Sequence, residues 1–209
     1  MGRPTRLATI GALVALAATP AAANGAAQHL TPEAARHKVT LHQDPLETEA
    51  VLSTKSVLRS TRGVLKTTYN DNHLRANIDR QTGKTRFEVH QTVQYMGGFR
   101  GFEQVNYETT SAPATAKLRT VDANPAACDS IDPQSACYEE LSFVVDEAEL
   151  RRLAAGSGEA WSFKFKPERG REHRASLPKA EIAGLLQAVD AYRATATSKL
   201  AMADATIAP

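Results

Sequence analysis

The chain has 209 residues, of which 42% are hydrophobic, and 25 Lys and Arg against 23 Asp and Glu give it a formal net charge of +2 at pH 7. This near balance excludes proteins that a strong positive field of the whole chain recruits to nucleic acid or to anionic membranes. The length predicts one domain, large enough to bury a sizeable core.

Residues 1–23 have the three parts of a secretory signal peptide. Arg3 and Arg6 give a basic start, an apolar run covers 7–18, and a small-residue exit ends at Ala23. The run is shorter than the roughly 20 residues that span a bilayer, so we expect cleavage after Ala23 and no membrane span afterwards. Cleavage removes two arginines and no acid, which leaves a formal net charge of zero. The predicted exported chain is periplasmic or secreted.

The composition divides the rest of the chain into three parts. Residues 24–48 lack a sustained period and are predicted as a linker, with a short strand at 38–42 as an option. A single α+β domain is predicted over 49–194, in which 49–58 fits either a strand or the start of a helix. The Ala, Thr and Ser composition of 195–209 predicts a disordered tail.

The clearest strand is 85–95, where apolar residues alternate with polar ones. The segment 74–79 alternates as well, and the loop 80–83 between them ends in a glycine, which predicts a hairpin. The loop length sets a register in which every apolar residue falls on one face: Ile78 opposite Thr85, Ala76 opposite Phe87, and Leu74 opposite Val89.

A second hairpin is predicted around Gly97-Gly98, joining 85–95 to the strand that holds Phe102 and Tyr107. A two-residue turn would send Tyr107 to the polar side. We therefore expect an odd-length turn or a bulge near Gln104.

The remaining elements continue the α+β pattern. Strands are predicted at 114–121, 137–145, 159–166 and 172–177, and a short helix runs from Asp146 to Gly156. A C-terminal helix carries an apolar stripe formed by Ile182, Leu185, Leu186, Val189 and Tyr192. The predicted fold is a curved, mainly antiparallel sheet of about six to eight strands with the short helix and the C-terminal helix packed on one face.

Cys128 and Cys137 are an even pair in a chain predicted to be exported. In an oxidising compartment such a pair predicts a disulfide, and Asp132-Pro133 between them supplies turn chemistry. Closing a loop of about ten residues contributes on the order of 2.5 to 3 kcal/mol by chain entropy. A redox-active pair would need the narrower Cys-x-x-Cys spacing.

Charge is unevenly distributed along the second half of the chain. Residues 121–150 contain eight acids and no Lys or Arg, whereas 151–174 contain seven Lys or Arg. We expect two solvated surfaces that pair with each other in the fold.

Few residues suggest chemistry. The six histidines, His29, His37, His42, His73, His90 and His173, form no metal motif, and no nucleophile elbow or phosphate loop is present, so no metal or cofactor is expected. The best polar group is on the even face of 85–95, where His90 with Glu88 or Glu103 could act as a general base. Such a face is more often simply solvated. Tyr95 and Trp161 are candidate ligand-binding aromatics, although core packing is their commoner role.

Four segments carry a resemblance to exported proteobacterial proteins that have no assigned function: 95–107, Cys137-Tyr-Glu-Glu, Trp161-Ser-Phe-Lys-Phe-Lys, and 177–186. The resemblance implies a periplasmic location and no catalytic residue or ligand.

Three functions stay open. The first is a non-enzymatic protein that binds an envelope partner or a small apolar ligand between helix and sheet. The second is an envelope hydrolase that uses His90. The third is a structural accessory of an envelope assembly whose acidic and basic segments form separate patches. We expect a non-enzymatic protein, without nucleic acid as a partner.

Overall fold

A computed structural model describes residues 30–58, 60–62, 67–69, 71–128 and 136–207. The predicted signal peptide and most of the cysteine loop lie outside these ranges. The helices are α1 (Pro32–Lys38), α2 (Pro125–Cys128), α3 (Glu147–Ala155) and α4 (Lys179–Ile207). The strands are β1 (Thr40–Gln43), β2 (Glu49–Ser53), β3 (Ser60–Arg62), β4 (Thr67–Tyr69), β5 (Asn72–Asp79), β6 (Thr85–Tyr95), β7 (Phe102–Tyr107), β8 (Ala114–Lys117), β9 (Arg119–Ala123), β10 (Cys137–Val145), β11 (Ala160–Pro167) and β12 (His173–Pro178).

The strands form two main antiparallel sheets. A six-stranded sheet has the order β1-β2-β5-β6-β10-β9, a four-stranded sheet has the order β12-β11-β7-β8, and β3 pairs with β4. The α+β class is confirmed, but the strands are divided between two sheets where one curved sheet was predicted. Phe143 of β10 contacts Trp161, Phe163 and Phe165 of β11, with ring centroids 6.0 to 6.2 Å apart. The core therefore lies between the sheets.

The first predicted hairpin is confirmed in its register. Ile78 lies opposite Thr85, Ala76 opposite Phe87, and Leu74 opposite Val89. All the apolar members of these pairs are at most 2% exposed. Alternation and a short loop were enough to predict this pairing, because both are local properties of the sequence.

The second predicted hairpin is wrong. β6 pairs with β5 and β10, while β7 pairs with β8 and β11 in the other sheet. Residues 96–101 carry the chain from one sheet to the other, with Gly97 at φ +99° and Gly101 at φ +61°. The predicted bulge near Gln104 is present, but it lies against β11: Gln104 is opposite Lys166 and Phe102 is opposite Pro167, which leaves Glu103 as an extra residue. This bulge lets both Phe102 and Val105 enter the core.

The predicted strand at 114–121 is divided in the same way. β8 pairs with β7, and β9 pairs with β10, so the chain changes sheets at Leu118, which is 8% exposed. β8 and β9 are the last strands of their sheets in the described part of the chain.

The segment 24–48, predicted as a linker, contains α1 at residues 32–38, and the short strand that was an option at 38–42 is present as β1. Thr31 caps α1 by accepting a hydrogen bond from the backbone of Ala34, and β1 pairs with β2. Ala35 is the one buried residue of α1. A helix that buries a single small side chain has no apolar stripe, so periodicity could not find it.

The C-terminal helix packs as predicted. Ile182, Leu185, Leu186 and Val189 are at most 5% exposed. α4 contacts β2 and β5 of one sheet, β12 of the other, and α1 and α3. α4 and the four-stranded sheet therefore both pack on the six-stranded sheet.

α4 continues to Ile207, past residue 194, where the sequence predicted the start of a disordered tail. An alanine-rich composition favours helix, which explains the difference.

Cys128 and Cys137 form the predicted disulfide, with Cα atoms 4.7 Å apart. Among the helices within the described ranges, none combines the length and the apolarity that a bilayer crossing needs.

Candidate functional site

His90 lies on the face of the six-stranded sheet that is turned away from the core. It is opposite His73 of β5 and Ser142 of β10. All three are buried, and His90 is only 1% exposed. The sequence predicted the face correctly but predicted that this face was solvated.

The polar side chains around His90 form one cluster. His90 Nε2 is 3.4 Å from Glu88 Oε2, and His90 Nδ1 is 3.4 Å from Glu140 Oε1. The His73 ring stacks on His90 with centroids 5.0 Å apart. The Nε2 contact is within ion-pair distance but lacks hydrogen-bond geometry, so this nitrogen has no hydrogen-bond partner among the described residues. The Glu88 carboxylate, in contrast, has three polar partners: Asn77 Nδ2 at 3.3 Å, Arg86 Nε at 3.3 Å and Arg119 Nη2 at 3.5 Å.

Burial keeps this histidine pair neutral. It lowers the pKa of His73 to about 3, with His90, Lys55 and Arg75 adding to the effect. Burial and then Arg75 lower the pKa of His90, while Glu140 and Glu88 oppose the shift. A neutral imidazole can accept a proton, but a ring that is 1% exposed cannot contact a substrate in this conformation.

Glu103 does not join the cluster. It lies on β7 in the four-stranded sheet and is exposed. Since β6 and β7 are not neighbours, the proposed pairing of Glu103 with His90 is wrong.

The two aromatic candidates are held by core contacts. Trp161 is fully buried, and its Nε1 donates to the backbone oxygen of Glu108 at 2.8 Å. The Tyr95 hydroxyl donates to Glu139 and accepts from the Arg100 backbone N–H at 3.0 Å. Burial, followed by the bond to Glu139, raises the pKa of Tyr95 to about 12. Neither side chain is available to a ligand.

Two buried carboxyl groups were missed by the sequence reasoning. Glu139 is fully buried and accepts from the backbone N–H of Phe102 at 3.1 Å as well as from Tyr95. Glu181, also fully buried, accepts from the Thr54 hydroxyl. Alternation in 137–145 places Glu139 on the apolar face, so that signal was present in the sequence.

A groove of about 550 Å³ lies on the four-stranded sheet. It is lined by Asn106, Tyr107, Glu108, Pro113, Ser162, Phe163, Lys164, Arg174, Ala175 and Ser176. Ser162 is opposite Ser176, and Lys164 is opposite Arg174, so a row of short hydroxyl side chains runs beside a row of long cationic ones. The alternation of 161–166 predicts which side chains share this face. The concave shape of the groove depends on the neighbouring strands, which the alternation does not predict.

The two cations of the groove differ in their ion pairs. Lys164 Nζ is 3.2 Å from Glu172, whereas Arg174 is exposed and forms no ion pair with any described residue. Glu108 accepts from the Ser162 backbone N–H at 3.4 Å. The lining includes no His or Cys. Guanidinium, hydroxyl and amide groups in this arrangement can bind a polar ligand that carries negative charge.

The acidic and basic segments pair only in part. Arg151 pairs with Glu147 at 2.7 Å, and Arg152 pairs with Glu149 at 2.6 Å. The basic residues of β11 and β12 instead lie on the second sheet, away from the acidic segment. In the described ranges, no group of three or more His, Cys, Asp or Glu is arranged to hold a metal ion.

Comparisons with known proteins give only distant likeness. No family model and no curated protein matches the chain. The crystal structure of invasion associated protein B from Bartonella henselae is similar to this chain with a TM-score of 0.41 and 10% sequence identity, over 75% of this chain and 94% of that one. Similarity at this level carries no functional argument, so the site is argued from the residues of this chain alone.

Proposed function

We propose that this chain is an exported, non-enzymatic binding protein of the cell envelope, and that it binds a polar ligand in the groove of the four-stranded sheet. One observation carries the proposal: the exposed guanidinium of Arg174, which forms no ion pair with a described residue, stands beside the hydroxyls of Ser162 and Ser176 in a concavity of about 550 Å³. Concave sites of this size with a few convergent polar groups are typical of ligand pockets.

The proposed location rests on the signal-like N-terminus and on the disulfide. Cysteine pairs of this kind persist in oxidising compartments. The resemblance to exported proteobacterial proteins agrees with a periplasmic location. We therefore place the ligand in the periplasm or outside the cell.

A small apolar ligand between α4 and the sheet is the weaker form of the binding hypothesis. The apolar stripe of α4 is at most 5% exposed, and side chains already occupy this space. The groove is on another part of the molecule and carries the polar side chains of Ser162, Arg174 and Ser176. We therefore propose a polar ligand.

The alternative function is an envelope hydrolase that uses His90 with Glu88. The two carboxylates at 3.4 Å from the His90 ring favour it. Against it stand the 1% exposure of His90 and the separation of Glu103 from the cluster. A general base needs a path to the proton that it removes, so binding is the better supported function.

A variant that fills the groove tests the proposal. Ser162→Trp places a large ring on the groove floor, and Thr120→Trp places the same ring at an exposed position of β9 as a matched control. The proteins are purified from the periplasm, incubated with the small-molecule fraction of a periplasmic extract and analysed by native mass spectrometry. We expect a bound mass on the unmodified chain and on T120W, and its loss from S162W. A chain that carries no ligand, or a ligand that S162W retains, would contradict the proposal.

A further inference from the structure

Two loops meet at one end of the sandwich, and we call them together the arginine tip: residues 96–101 between β6 and β7, and residues 168–172 between β11 and β12. The Glu168 backbone N–H donates to Gly101 O at 2.7 Å, and the Arg169 backbone N–H donates to Arg100 O at 3.1 Å. Arg100 Nη1 donates to Arg171 O at 3.5 Å. The loops are therefore held as one surface.

The tip exposes two large apolar side chains. Met96 is 54% exposed and Phe99 is 38% exposed, and both belong to the same six-residue loop. The Phe99 ring and the Glu168 carboxylate each lie 3.7 Å from where a Cβ of Gly101 would be, which places the apolar loop directly beside the charged one. Single exposed apolar residues are common, but here they adjoin a group of cations.

The charge of the tip is positive. It holds Arg100, Arg169 and Arg171 against Glu168 and Glu172, for a formal net charge of +1, and Glu172 lies 3.2 Å from Lys164 of β11. The Arg169 side chain is 80% exposed and lies 3.6 Å from Glu168, a separation at which water screens the pair. Arg171 forms no ion pair with any described residue, and Arg100 is positioned 4.2 Å from the centre of the Tyr95 ring.

We propose that the arginine tip docks on a membrane surface that contains anionic phospholipid. Met96 and Phe99 enter the headgroup region, and the exposed side chains of Arg169 and Arg171 face the lipid phosphates. Apolar side chains beside basic ones bind such surfaces in two ways. The apolar side chains are buried among the lipids, and the basic ones are attracted to the anionic headgroups. The near-zero charge of the whole chain does not oppose this, because a charged patch acts within a Debye length of about 8 Å.

Docking through the tip would leave the groove open. None of the tip residues lines the groove, and the groove lies along the sheet face while the tip lies at the end of the strands. The inference is therefore independent of the proposed ligand, and it gives the binding protein a fixed place at the membrane.

Vesicle co-sedimentation of the exported full chain tests the inference. The vesicles contain either phosphatidylcholine alone or equal parts of phosphatidylglycerol and phosphatidylcholine. We expect binding to the anionic vesicles and a loss with added salt. R171Q should lower the partition coefficient about fivefold, the value of one basic residue near an anionic surface. F99S should lower it by about tenfold, since the ring leaves the interface.

Matched controls separate the tip from the rest of the surface. L46S removes an apolar side chain that is 94% exposed elsewhere, and K84Q removes one exposed charge from the loop between β5 and β6. Both should bind as the unmodified chain does, and so should S162W.

Equal binding to pure phosphatidylcholine would overturn the inference. So would an unchanged partition of F99S or R171Q, or a loss in L46S as large as in F99S. Since S162W tests only the groove, failure of either proposal can be recognised separately.

Discussion

Two buried carboxyl groups show how residue chemistry shapes this fold. Both oxygens of Glu139 accept hydrogen bonds, one from the Tyr95 hydroxyl and one from the Phe102 backbone N–H. This carboxyl group therefore stabilises the segment that connects the two sheets. Glu181 is different, because its Oε2 has no hydrogen-bond partner among the described residues. Burial raises the pKa of Glu181 to about 8, and the bond from Thr54 opposes the shift only in part. Glu181 is therefore protonated at neutral pH.

The raised pKa of Glu181 predicts a stability that falls as pH rises. In the unfolded chain the carboxyl has its ordinary pKa of 4.5, whereas the folded chain keeps the proton until about pH 8. The free energy of unfolding therefore decreases across this window. E181Q cannot ionise. We therefore expect its free energy of unfolding to match that of the unmodified chain near pH 4.5 and to exceed it above about pH 8.

Urea unfolding midpoints measured across this range test the prediction. E159Q, which changes an exposed glutamate of the loop before β11, is the matched control and should follow the unmodified chain. A stability of E181Q that falls with pH as steeply as that of the unmodified chain would show that Glu181 is not the titrating group.

The sequence could predict part of this residue-scale picture. Alternation places Glu139 with Cys137 and Leu141, and helical spacing places Glu181 four residues before Leu185. The partner of Glu181 is Thr54, 127 residues away, and no local pattern connects them. The burial of His90 was likewise unpredictable, because the pattern gives the face of a strand but not what covers it.

At the scale of elements, α1 and α4 approach through a glycine. A Cβ at Gly184 would lie 2.6 Å from Ala35 Cβ, 2.7 Å from Arg36 N and 2.8 Å from Pro32 O. Two of these are backbone atoms, so α1 could make room only by moving as a unit. Glycine in a helix interior is thus explained here by the close approach of two helices.

G184A tests this contact, because two effects oppose each other. Helix propensity alone would stabilise the alanine variant by about 1 kcal/mol. We expect the steric clash to outweigh it, with a net destabilisation of roughly 1 to 3 kcal/mol, as for other overpacked sites.

The control for G184A is G98A, since nothing lies within 4 Å of a Cβ at Gly98 and its φ is not positive. Chemical denaturation should show little change there. A stabilised G184A would mean that α1 does not pack on α4 as described.

Pairings between elements divide into those that sequence could predict and those that it could not. The β5–β6 hairpin follows from alternation and a short loop. The β6–β7 hairpin had comparable local signals and is wrong, because β10 occupies the edge of β6. That competition involves strands more than 40 residues apart, and local periodicity carries no information about it.

At the scale of the whole molecule, the two faces of the sandwich differ. On the outer face of the six-stranded sheet, His90 and Glu88 are buried in a polar cluster. The four-stranded sheet instead presents an open groove with Arg174, Ser162 and Ser176. The predicted site and the proposed site are thus on different sheets, because sequence reasoning identified the polar side chains and the tertiary structure decided which of them are accessible.

The most direct measurement is a map of backbone amide chemical shifts in the exported protein as the small-molecule fraction of a periplasmic extract is added. The account predicts shifts at Asn106, Ser162 and Ser176, with the amides around His90 unchanged. Shifts concentrated around His73 and His90, or no shift on β7, β11 and β12, would contradict it.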